Sequence, residues 1–486
     1  MQKLIIQLKN IEVRFAAKDI LTIPSLAVYE NEKIGIIGDN GSGKSTLLKL
    51  IAKELEPAGG KVESQIDFPF FRQIADVNEQ NSPDLEGELL SRFNIPSNKV
   101  ETLSGGEQTK YRLTQILSDY QPGMLLDEPT THLDQKACRQ LIDELKYYYG
   151  TLLFVSHDRS FLNALADKIW EVKEGSVIEY KGNYEAYRQQ KKNEKIRHHH
   201  DFENYQKEVN RLKKGIESKR EQAAQTARVS TKNKKKNIRP DRLSSSRQKD
   251  TVQKNLQKKA KAMVSRLDQL KEVQAIKEEQ KIVFPAHKTV EIHNPYPIRA
   301  ENVSITFGNK LILDQLNFQV PLGKKIALIG ENGAGKSTLL RAIRMQKPGI
   351  ILSPKAVIAT YDQMDYQLQS FRPLVDQLMS ETDWPESTVR TLLNKLGFSQ
   401  LEINKPLNVL SGGEATRIAI ASLFVRPSNI LLLDEPTNFI DLATIEALEI
   451  FLKAYQGTVL FTSHDRYFVE QVADEEWKLA AGKLIQ

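Results

Sequence analysis

The sequence predicts an α/β protein in which two domains of one type are joined by a long antiparallel helical hairpin. Two observations lead to this fold class. The segments GDNGSGKST, from Gly38, and GENGAGKST, from Gly330, each follow a β-type apolar run and precede an apolar helical stretch. Between these segments, from about Tyr187, the chain is rich in Glu, Gln, Lys and Ala and has no proline until Pro240.

Length and composition agree with this organisation. A chain of 486 residues is too long for one ordinary core, and we expect domains at residues 1–186 and 285–486 with the hairpin linker at 187–284. No apolar run approaches the roughly 18 residues needed to cross a bilayer, and MQKLIIQLKNIEV lacks a signal-peptide pattern. Cys138 is the only cysteine, which excludes an internal disulfide and a cysteine metal cluster. A cytoplasmic location without membrane contact is expected.

Positive charge is concentrated in the middle of the chain. The net charge is +7, yet residues 191–281 hold 27 basic and 12 acidic side chains, or +15, which leaves about −8 for the remainder. This distribution predicts a localised contact with a polyanion, either a phosphate backbone or an acidic membrane surface.

Both glycine-rich segments satisfy the pattern G-x-x-x-x-G-K-[ST] in a strand, loop, helix context. Glycines let successive backbone N–H groups face phosphate oxygens, the lysine reaches the terminal phosphates, and the serine can ligate Mg²⁺. ATP and Mg²⁺ are therefore the expected ligands. The predicted phosphate-binding residues are Gly38, Asn40, Gly41, Gly43, Lys44, Ser45 and Thr46, and Gly330, Asn332, Gly333, Gly335, Lys336, Ser337 and Thr338.

Three further motifs follow each segment in the same order: LSGGE, an apolar run ending in Asp-Glu-Pro, and Ser-His-Asp. The signature serine precedes the second acid by 24 residues in both copies, and that acid precedes the histidine by 29 in both. With this ordered set, the sequence resembles the ATP-binding cassette family of P-loop NTPases at both ends of the chain.

Paired acids after a buried strand suit phosphoryl transfer. The first acid (Asp127, Asp434) can hold Mg²⁺ through water, and the second (Glu128, Glu435) can orient or deprotonate the attacking water. A lone Asp-Glu pair is usually solvated surface, but its position downstream of a phosphate loop favours the functional interpretation.

The resemblance implies further site residues. His157 and His464 match the switch position that senses the γ-phosphate, and Gln73 and Gln363 match the glutamine loops that meet Mg²⁺ and water, although a surface glutamine is the alternative. Phe15 and Phe307 each stand 23 residues before the phosphate loop, where the family stacks an aromatic ring on adenine; core packing is the alternative. The signature residues are Ser104, Gly105, Gly106 and Glu107, and Ser411, Gly412, Gly413 and Glu414.

In that family, the signature loop of one cassette closes the ATP bound by the other. Carried over, Lys44, Asp127 and Glu128 would share a site with Ser411 and Gly413. The other site would combine Lys336, Asp434 and Glu435 with Ser104 and Gly106. A monomer with intramolecular cassette pairing and two hydrolysing sites follows from this arrangement. THLD at 131–134 becomes NFID at 438–441, which predicts unequal rates at the two sites.

The linker carries one apolar seam on each arm. Phe202, Tyr205, Val209, Leu212 and Ile216 recur at intervals of three and four, as do Leu256, Ala260, Met263, Leu267 and Leu270. The two arms should therefore pack antiparallel on each other.

The tip near residues 229–249 is strongly basic, and Pro240 with the serines at 244–246 should interrupt the helix. Lys and Arg suit phosphate oxygens and Leu243 offers an apolar end; a solvated charge run is the alternative. The candidate RNA-binding residues are Lys232, Lys234, Lys235, Lys236, Arg239, Arg242, Leu243, Arg247 and Lys249.

Two cassettes without a membrane span, separated by a charged hairpin, resemble the ABC-F family of translation proteins. GNYEAY, NPYPI and a first-copy interval from glutamine to signature that is 17 residues shorter than the second favour its antibiotic-resistance branch of the staphylococcal macrolide and streptogramin type. The resemblance implies a ribosome-associated ATPase whose hairpin extends from the exit site toward the peptidyl-transferase centre and meets rRNA and tRNA.

Three other functions remain open at this point. A housekeeping translation factor would share the architecture, and the ATPase half of an exporter would need a separate membrane partner. A DNA-maintenance ATPase would place a longer coil inside a single split cassette, which counts against it.

Overall fold

The computed structural model describes residues 3–15, 18–72, 105–118, 120–131, 133, 135–235, 245–270, 292–308, 310–361, 372–400, 402–406, 412–438 and 440–486. The chain divides into two compact units. Both glycine-rich copies belong to one unit, Met1–Tyr187 with Lys281–Gln486, and the other unit is Arg188–Gln280.

The first copy combines a small antiparallel sheet and a larger, mostly parallel sheet. Its strands are β1 (Leu4–Phe15), β2 (Lys18–Tyr29), β3 (Lys33–Gly38), β4 (Gly59–Ser64), β5 (Phe70–Phe71), β6 (Gly123–Asp127), β7 (Thr151–Val155), β8 (Lys168–Lys173) and β9 (Ser176–Lys181). Its helices are α1 (Lys44–Ile51), α2 (Gly105–Ser118), α3 (Gln135–Tyr147) and α4 (Arg159–Leu165). The strand orders are β2-β1-β4 and β5-β6-β7-β3-β8-β9, with β9 antiparallel to its neighbour.

The hairpin helices are α5 (Tyr184–Lys235) and α6 (Ser245–Gln269). The second copy has strands β10 (Ile298–Phe307), β11 (Lys310–Val320), β12 (Lys325–Ile329), β13 (Ile350–Leu352), β14 (Ile358–Tyr361), β15 (Ile430–Leu433), β16 (Thr458–Thr462), β17 (Glu475–Ala480) and β18 (Lys483–Ile485). Its helices are α7 (Lys336–Arg344), α8 (Leu374–Met379), α9 (Glu386–Lys395), α10 (Gly412–Val425), α11 (Leu442–Ala454) and α12 (Arg466–Val472), with a 3₁₀ turn at Glu402–Asn404. Its sheets, β11-β10-β13 and β14-β15-β16-β12-β17-β18, repeat the first copy.

Burial explains why the central strands are continuous apolar runs. All five residues of β6 (GMLLD) and of β7 (TLLFV) are buried, as parallel strands covered on both faces require. β7 lies between β6 and β3, so the carboxyl ends of these three strands meet at one edge of the sheet. Gly38, Glu128 and His157 are brought together there, as ligand sites of open α/β sheets usually are.

The two copies share part of their apolar packing. One cluster of buried side chains includes residues of both copies, among them Phe161 of α4 and Phe451 of α11.

The matching sheets of the two copies confirm the prediction of two α/β domains of one type.

The hairpin helices differ in one respect from expectation. Helix α5 has 52 residues, about 78 Å at 1.5 Å per residue. Helix α6 begins at Ser245, so Ser245 and Ser246 are helical although they were expected to help interrupt the helix. The rest of the predicted interruption, including Pro240, lies outside the described residues. Serine is well tolerated at the start of a helix, where its hydroxyl can accept from a free backbone N–H group. Lys232, Lys234, Lys235, Arg247 and Lys249 are helical, whereas Lys236, Arg239, Arg242 and Leu243 lie outside the described residues.

The expected seam is visible in the part of the hairpin that the structure describes. Leu212 and Ile216 are buried, and Met263 Sδ lies 3.2 Å from the point where a Cβ on Gly215 would stand. Arg266 of α6 pairs with Glu208 of α5 at 3.5 Å. Because Gly215 lies opposite Met263 and Glu208 lies opposite Arg266, the two arms run antiparallel. Among the described residues, no helix is long and apolar enough to cross a membrane.

Leu212→Ala should loosen the hairpin. The substitution leaves a cavity between the arms, and such changes at buried leucines cost about 2–5 kcal/mol. We expect faster amide hydrogen exchange at residues 205–216 and 260–267, measured by mass spectrometry. Lys213→Ala, on the exposed face one residue away, should leave exchange unchanged, and equal effects of the two variants would contradict the packing described.

Candidate nucleotide-binding site

A buried lysine anchors each phosphate loop. Lys44 Nζ donates to the carbonyl oxygens of Gly38 at 2.8 Å and Asp39 at 3.0 Å. Lys336 Nζ donates to Gly330 at 2.7 Å and Glu331 at 3.1 Å. Burial lowers the pKa of Lys44. Each ammonium group is thus held at the loop by acceptors that phosphate oxygens could replace.

The loops leave room for a ligand. Gly41 and Gly333 adopt left-handed φ values of 77° and 75°, and a Cβ added to either would meet nothing within 4 Å. The helices that follow, α1 and α7, begin after Gly43 and Gly335, and neither glycine provides a side-chain cap for the first turn. Open space at the N-terminus of such a helix suits a phosphate chain.

A serine and an aspartate meet beside each loop. Ser337 Oγ donates to Asp434 Oδ1 at 3.0 Å, and Thr462 Oγ1 donates to the same oxygen at 2.8 Å. In the first copy, Ser45 hydrogen-bonds to Asp127, whose pKa is nevertheless raised by burial. A hydroxyl and a carboxylate oxygen at one point are ligands suited to Mg²⁺, which takes its remaining ligands from water and phosphate. The residues present therefore fit the expected metal.

The second acid of each pair is held in an unusual conformation. Glu128 and Glu435 have left-handed φ values of 52° and 49°, which non-glycine residues rarely adopt. Neighbouring strands hold them there, since Glu128 N donates to Val155 O at 3.0 Å and Glu435 N donates to Thr462 Oγ1 at 2.9 Å. Strain of this kind persists where it serves a site.

Each of these glutamates faces a histidine. His157 Nε2 lies 3.5 Å from Glu128 Oε1, and His464 Nε2 lies 3.3 Å from Glu435 Oε1. Both Oε1 atoms are buried and accept no hydrogen bond from the residues that the structure describes. A water molecule or a ligand atom would complete these carboxyl groups.

Burial dominates the electrostatics of this region. It raises the pKa of Glu128 to about 8 and that of Glu435 to about 7, although Lys44 and Lys336 each oppose the shift. Burial, and then Lys44, lowers the pKa of His157 to about 3. A glutamate with a pKa near neutrality can exchange a proton at physiological pH, and an uncharged histidine can accept or donate a hydrogen bond.

The first phosphate loop opens into a cavity of about 520 Å³, within the usual size range of ligand sites. The second copy contributes Thr437, Asn438, Ile445, His464 and Asp465 to its lining. Asn40 N also donates to Asp441 Oδ2 across the copies at 3.2 Å. The cavity is therefore built by both copies. Its lining from the first copy includes Phe15, Asn40, Gly41, Gly43, Lys44, Ser45, Thr46, Asp127, Glu128 and His157.

The predicted adenine-stacking residues differ in their surroundings. Phe15 is half exposed, at 51%, and lines the cavity. Phe307 is 84% exposed. Both rings are therefore accessible rather than packed in the core, which disfavours the alternative interpretation.

Part of the predicted site lies outside the described residues. These positions are Gln73, Ser104, Gln363 and Ser411. Gly105 and Gly412 begin α2 and α10, and Gly106, Glu107, Gly413 and Glu414 continue those helices. The pairing of each signature serine with the opposite phosphate loop stays a prediction.

Sequence reasoning did not identify the role of the aspartates in Ser-His-Asp. Asp158 caps α4 by accepting from Ser160 N and Phe161 N, and Asp465 caps α12 by accepting from Phe468 N. An aspartate immediately before a helical run is a cap signal and could have been found. The neighbouring Arg159 has no comparable signal, because Ser-His-Asp-Arg occurs in both copies.

Comparison with known proteins agrees with this geometry. The ABC transporter family model matches residues 21–131 and 313–438. The erythromycin resistance ATP-binding protein MsrA of Staphylococcus epidermidis is 44% identical over 99% of this chain and 98% of the relative. The ribosome protection protein VmlR of Bacillus subtilis is 33% identical over 98% and 86%. Among solved structures, an RNase-L inhibitor aligns with a TM-score of 0.66 and 19% identity over 98% of this chain and 90% of that chain, a likeness of fold.

Glu128→Gln should stabilise the nucleotide-free protein increasingly as pH rises. The folded-state pKa of about 8 lies above the ordinary 4.5, so between these values the folded state keeps a proton that the unfolded state releases. Stability from this group is present at low pH and is lost as pH approaches 8. Glutamine does not titrate, so its advantage should grow by about 1 kcal/mol or more from pH 5 to pH 8.

Thermal unfolding across that pH range measures the effect. Glu30→Gln, a substitution of an exposed glutamate, serves as the control and should show no such trend. A Glu128→Gln advantage that is constant or shrinks with pH would contradict the raised pKa.

Proposed function

Because the chain belongs to the ABC-F family of ATP-binding cassette proteins, we propose that it protects the ribosome from an antibiotic, macrolides and streptogramins being the expected classes. It is an ATPase with two cassettes, and here each copy is called a cassette. In this proposal the ATP-bound form binds the ribosome, the hairpin tip displaces the drug near the peptidyl-transferase centre, and hydrolysis resets the protein.

One observation carries the proposal. The similarity to proteins named for erythromycin resistance and ribosome protection runs through 98–99% of the chain, so it includes the hairpin as well as both cassettes. An ATPase half of an exporter would need its similarity only in the cassettes. The basic excess of residues 191–281 gives the hairpin the charge needed to approach RNA phosphates.

The site residues have distinct proposed roles. Lys44 and Lys336 exchange loop carbonyls for phosphate oxygens, which ties ATP binding to the shape of the loop. Glu128 and Glu435 orient the attacking water and take its proton, and His157 and His464 hold the γ-phosphate side of each site. Ser45 with Asp127, and Ser337 with Asp434, would hold Mg²⁺, which neutralises phosphate charge when bound.

Closing the two cassettes on ATP is proposed as the signal that the ribosome detects. The contact from Asn40 N to Asp441 Oδ2 joins a phosphate loop directly to the other cassette. Ser411 and Ser104 of the signature loops, with Gln73 and Gln363, would complete the two composite sites. A ligand bound at this joint stabilises the closed form by its differential affinity for it.

Glu128→Gln combined with Glu435→Gln should trap the protein on ribosomes. Removing both proposed bases should slow hydrolysis by about 10²-fold or more while leaving the phosphate-binding residues intact. We expect the variant to sediment with ribosomes in an ATP-containing sucrose gradient and to arrest cell-free translation. Lys44→Ala with Lys336→Ala, which weakens ATP binding, should remain at the top of the gradient. A Gln variant that also remains there would refute ribosome binding.

Cell-free translation in the presence of antibiotics tests the protective role. Added protein and ATP should raise the inhibitory concentration of a macrolide or streptogramin. Replacing Lys232, Lys234, Lys235 and Lys236 by serine should abolish this rescue with ATPase activity retained, because the lost charges weaken the contact with RNA phosphates. The matched control replaces the exposed Lys254, Lys258, Lys259 and Lys261 of α6 and should retain rescue.

Lincosamides and phenicols belong in the same titration. If no drug is rescued while the Gln variant still arrests translation, the protein acts as a housekeeping factor. Rescue in this membrane-free assay would exclude the exporter function.

A further inference from the structure

Arg159 makes the one buried ion cluster between the cassettes among the described residues. Its side chain is fully buried, and its Nη2 donates to Glu449 Oε1 and, at 3.1 Å, to Asp465 Oδ2. Both acids belong to the second cassette. The guanidinium carbon also lies 4.4 Å from the ring centre of Tyr467. Arg159, Glu449 and Asp465 are called the inter-cassette ion cluster below.

The second cassette does not repeat this arrangement. Equivalent positions are 307 residues apart, as for Asp127 and Asp434, so the counterpart of Arg159 is Arg466. Arg466 is 43% exposed and pairs with Glu470 at 3.0 Å and Glu476 at 2.9 Å within its own cassette. The counterpart of Glu449 is Ile142, which has no charge to offer.

The ion cluster lies next to the catalytic machinery of the second site. Asp465 immediately follows His464, and it caps α12 by accepting from Phe468 N at 3.0 Å while its own N–H donates to Ser463 Oγ at 3.1 Å. Asp465 is therefore hydrogen-bonded through both its backbone N–H and its carboxylate, and these bonds hold the short segment that carries His464. His464 Nε2 in turn lies 3.3 Å from Glu435 Oε1.

The energetics of the cluster depend on the cassettes being closed. Glu449 and Asp465 are 7% and 8% exposed, so removing the guanidinium would leave two carboxylates buried without their main cation. Arg159 Nε and Nη1 donate to no acceptor among the described residues. Burying a guanidinium whose N–H groups lack acceptors costs more than burying a fully hydrogen-bonded one. When the cassettes separate, water can therefore hydrogen-bond to these N–H groups.

We infer that Arg159 is a positioning residue for the second ATP site: from the first cassette it holds Asp465, and with it the segment bearing His464. Hydrolysis at the second site thereby depends on closure of the cassettes through this contact. The first site has no corresponding arginine from the second cassette, so this contact holds only the second switch segment. Because His464 and Asp465 also line the cavity of the first phosphate loop, the dependence is stronger at the second site than at the first. The inference rests on the roles proposed above for Glu435 and His464.

Site-resolved hydrolysis tests the inference. In a Glu128→Gln background the remaining ATPase activity belongs to the second site, and in a Glu435→Gln background it belongs to the first. Arg159→Met should lower kcat about 10-fold or more in the former, with KM changed less than about 3-fold, and should lower kcat by less than about 3-fold in the latter. Arg466→Met, the matched control, should change neither. Equal losses in both backgrounds, or an equal effect of Arg466→Met, would overturn the inference.

A double variant separates positioning from simple stabilisation. Arg159→Met with Glu449→Met replaces two of the three buried charges by apolar groups, which is often tolerated, and should restore part of the thermal stability lost in Arg159→Met. Because Asp465 still lacks its arginine, kcat at the second site should stay low. Recovery of that rate would show that the cluster only holds the cassettes together and would overturn the inference.

Hydrogen exchange supplies a measurement that does not require turnover. With a non-hydrolysable ATP analogue, amides 463–468 should be protected in the parent and should lose protection in Arg159→Met, while amides 44–48 of α1 at the first phosphate loop keep theirs. Unchanged protection at 463–468 would contradict the positioning role. None of these assays contains ribosomes, so their failure would leave the ribosome proposal to its own tests.

Discussion

Burial of charge at the carboxyl edge of the two parallel sheets is the constraint on which the site depends. Lys44 and Glu128 lose most of their hydration there. This burial lowers the pKa of Lys44 and raises the pKa of Glu128, so it favours the neutral form of each side chain. A buried lysine needs acceptors and a buried glutamate needs donors. Loop carbonyls supply the first, whereas Glu128 Oε1 has no donor among the described residues. The hydrogen-bonding groups of the site are thus only partly paired, and the unpaired polar atoms define which donors and acceptors a ligand must supply.

The same constraint explains the strained backbone at Glu128 and Glu435. A strand that ended in a relaxed conformation would carry the side chain away from the edge. The left-handed φ turns the chain sharply, and hydrogen bonds to β7 or β16 hold that turn. Strand packing therefore offsets a local cost of about 1–3 kcal/mol. Because of this preorganisation, the protein does not have to reorganise when the water attacks the phosphate.

Sequence predicted the parts of the site that are local. Phosphate loops, paired acids and switch histidines each lie within a short segment whose type and spacing are fixed by strand, loop and helix geometry. Across the cassettes, the sequence led only to the pairing of each phosphate loop with the opposite signature loop, which stays a prediction, and it did not reveal the partners of Arg159. Arg159 and Arg466 follow identical Ser-His-Asp triplets, yet one is buried between cassettes and the other is exposed. Their difference depends on their partners: Arg159 pairs with Glu449, 290 residues away, whereas Arg466 pairs with Glu470 and Glu476, only 4 and 10 residues away. The start of α6 was also missed, because serine suits a helix start as well as a loop.

In the part of the chain that the structure describes, the inter-cassette ion cluster breaks the near-symmetry of the two cassettes, and this has a mechanical consequence. If both interfaces carried an equivalent ion cluster, closing would organise both switch segments by the same contact and the sites would respond together. With the cluster on one side only, the second switch segment is fastened by the first cassette, whereas Asp158 of the first is held within its own cassette by α4 and by Cys138 Sγ at 3.4 Å. Burial, and then the nearby Asp465, raises the pKa of Asp158 to about 6. A further buried carboxylate without a cation would therefore be costly at this junction. One arginine shared between two acids of the opposite cassette limits that cost and leaves the two sites physically unequal.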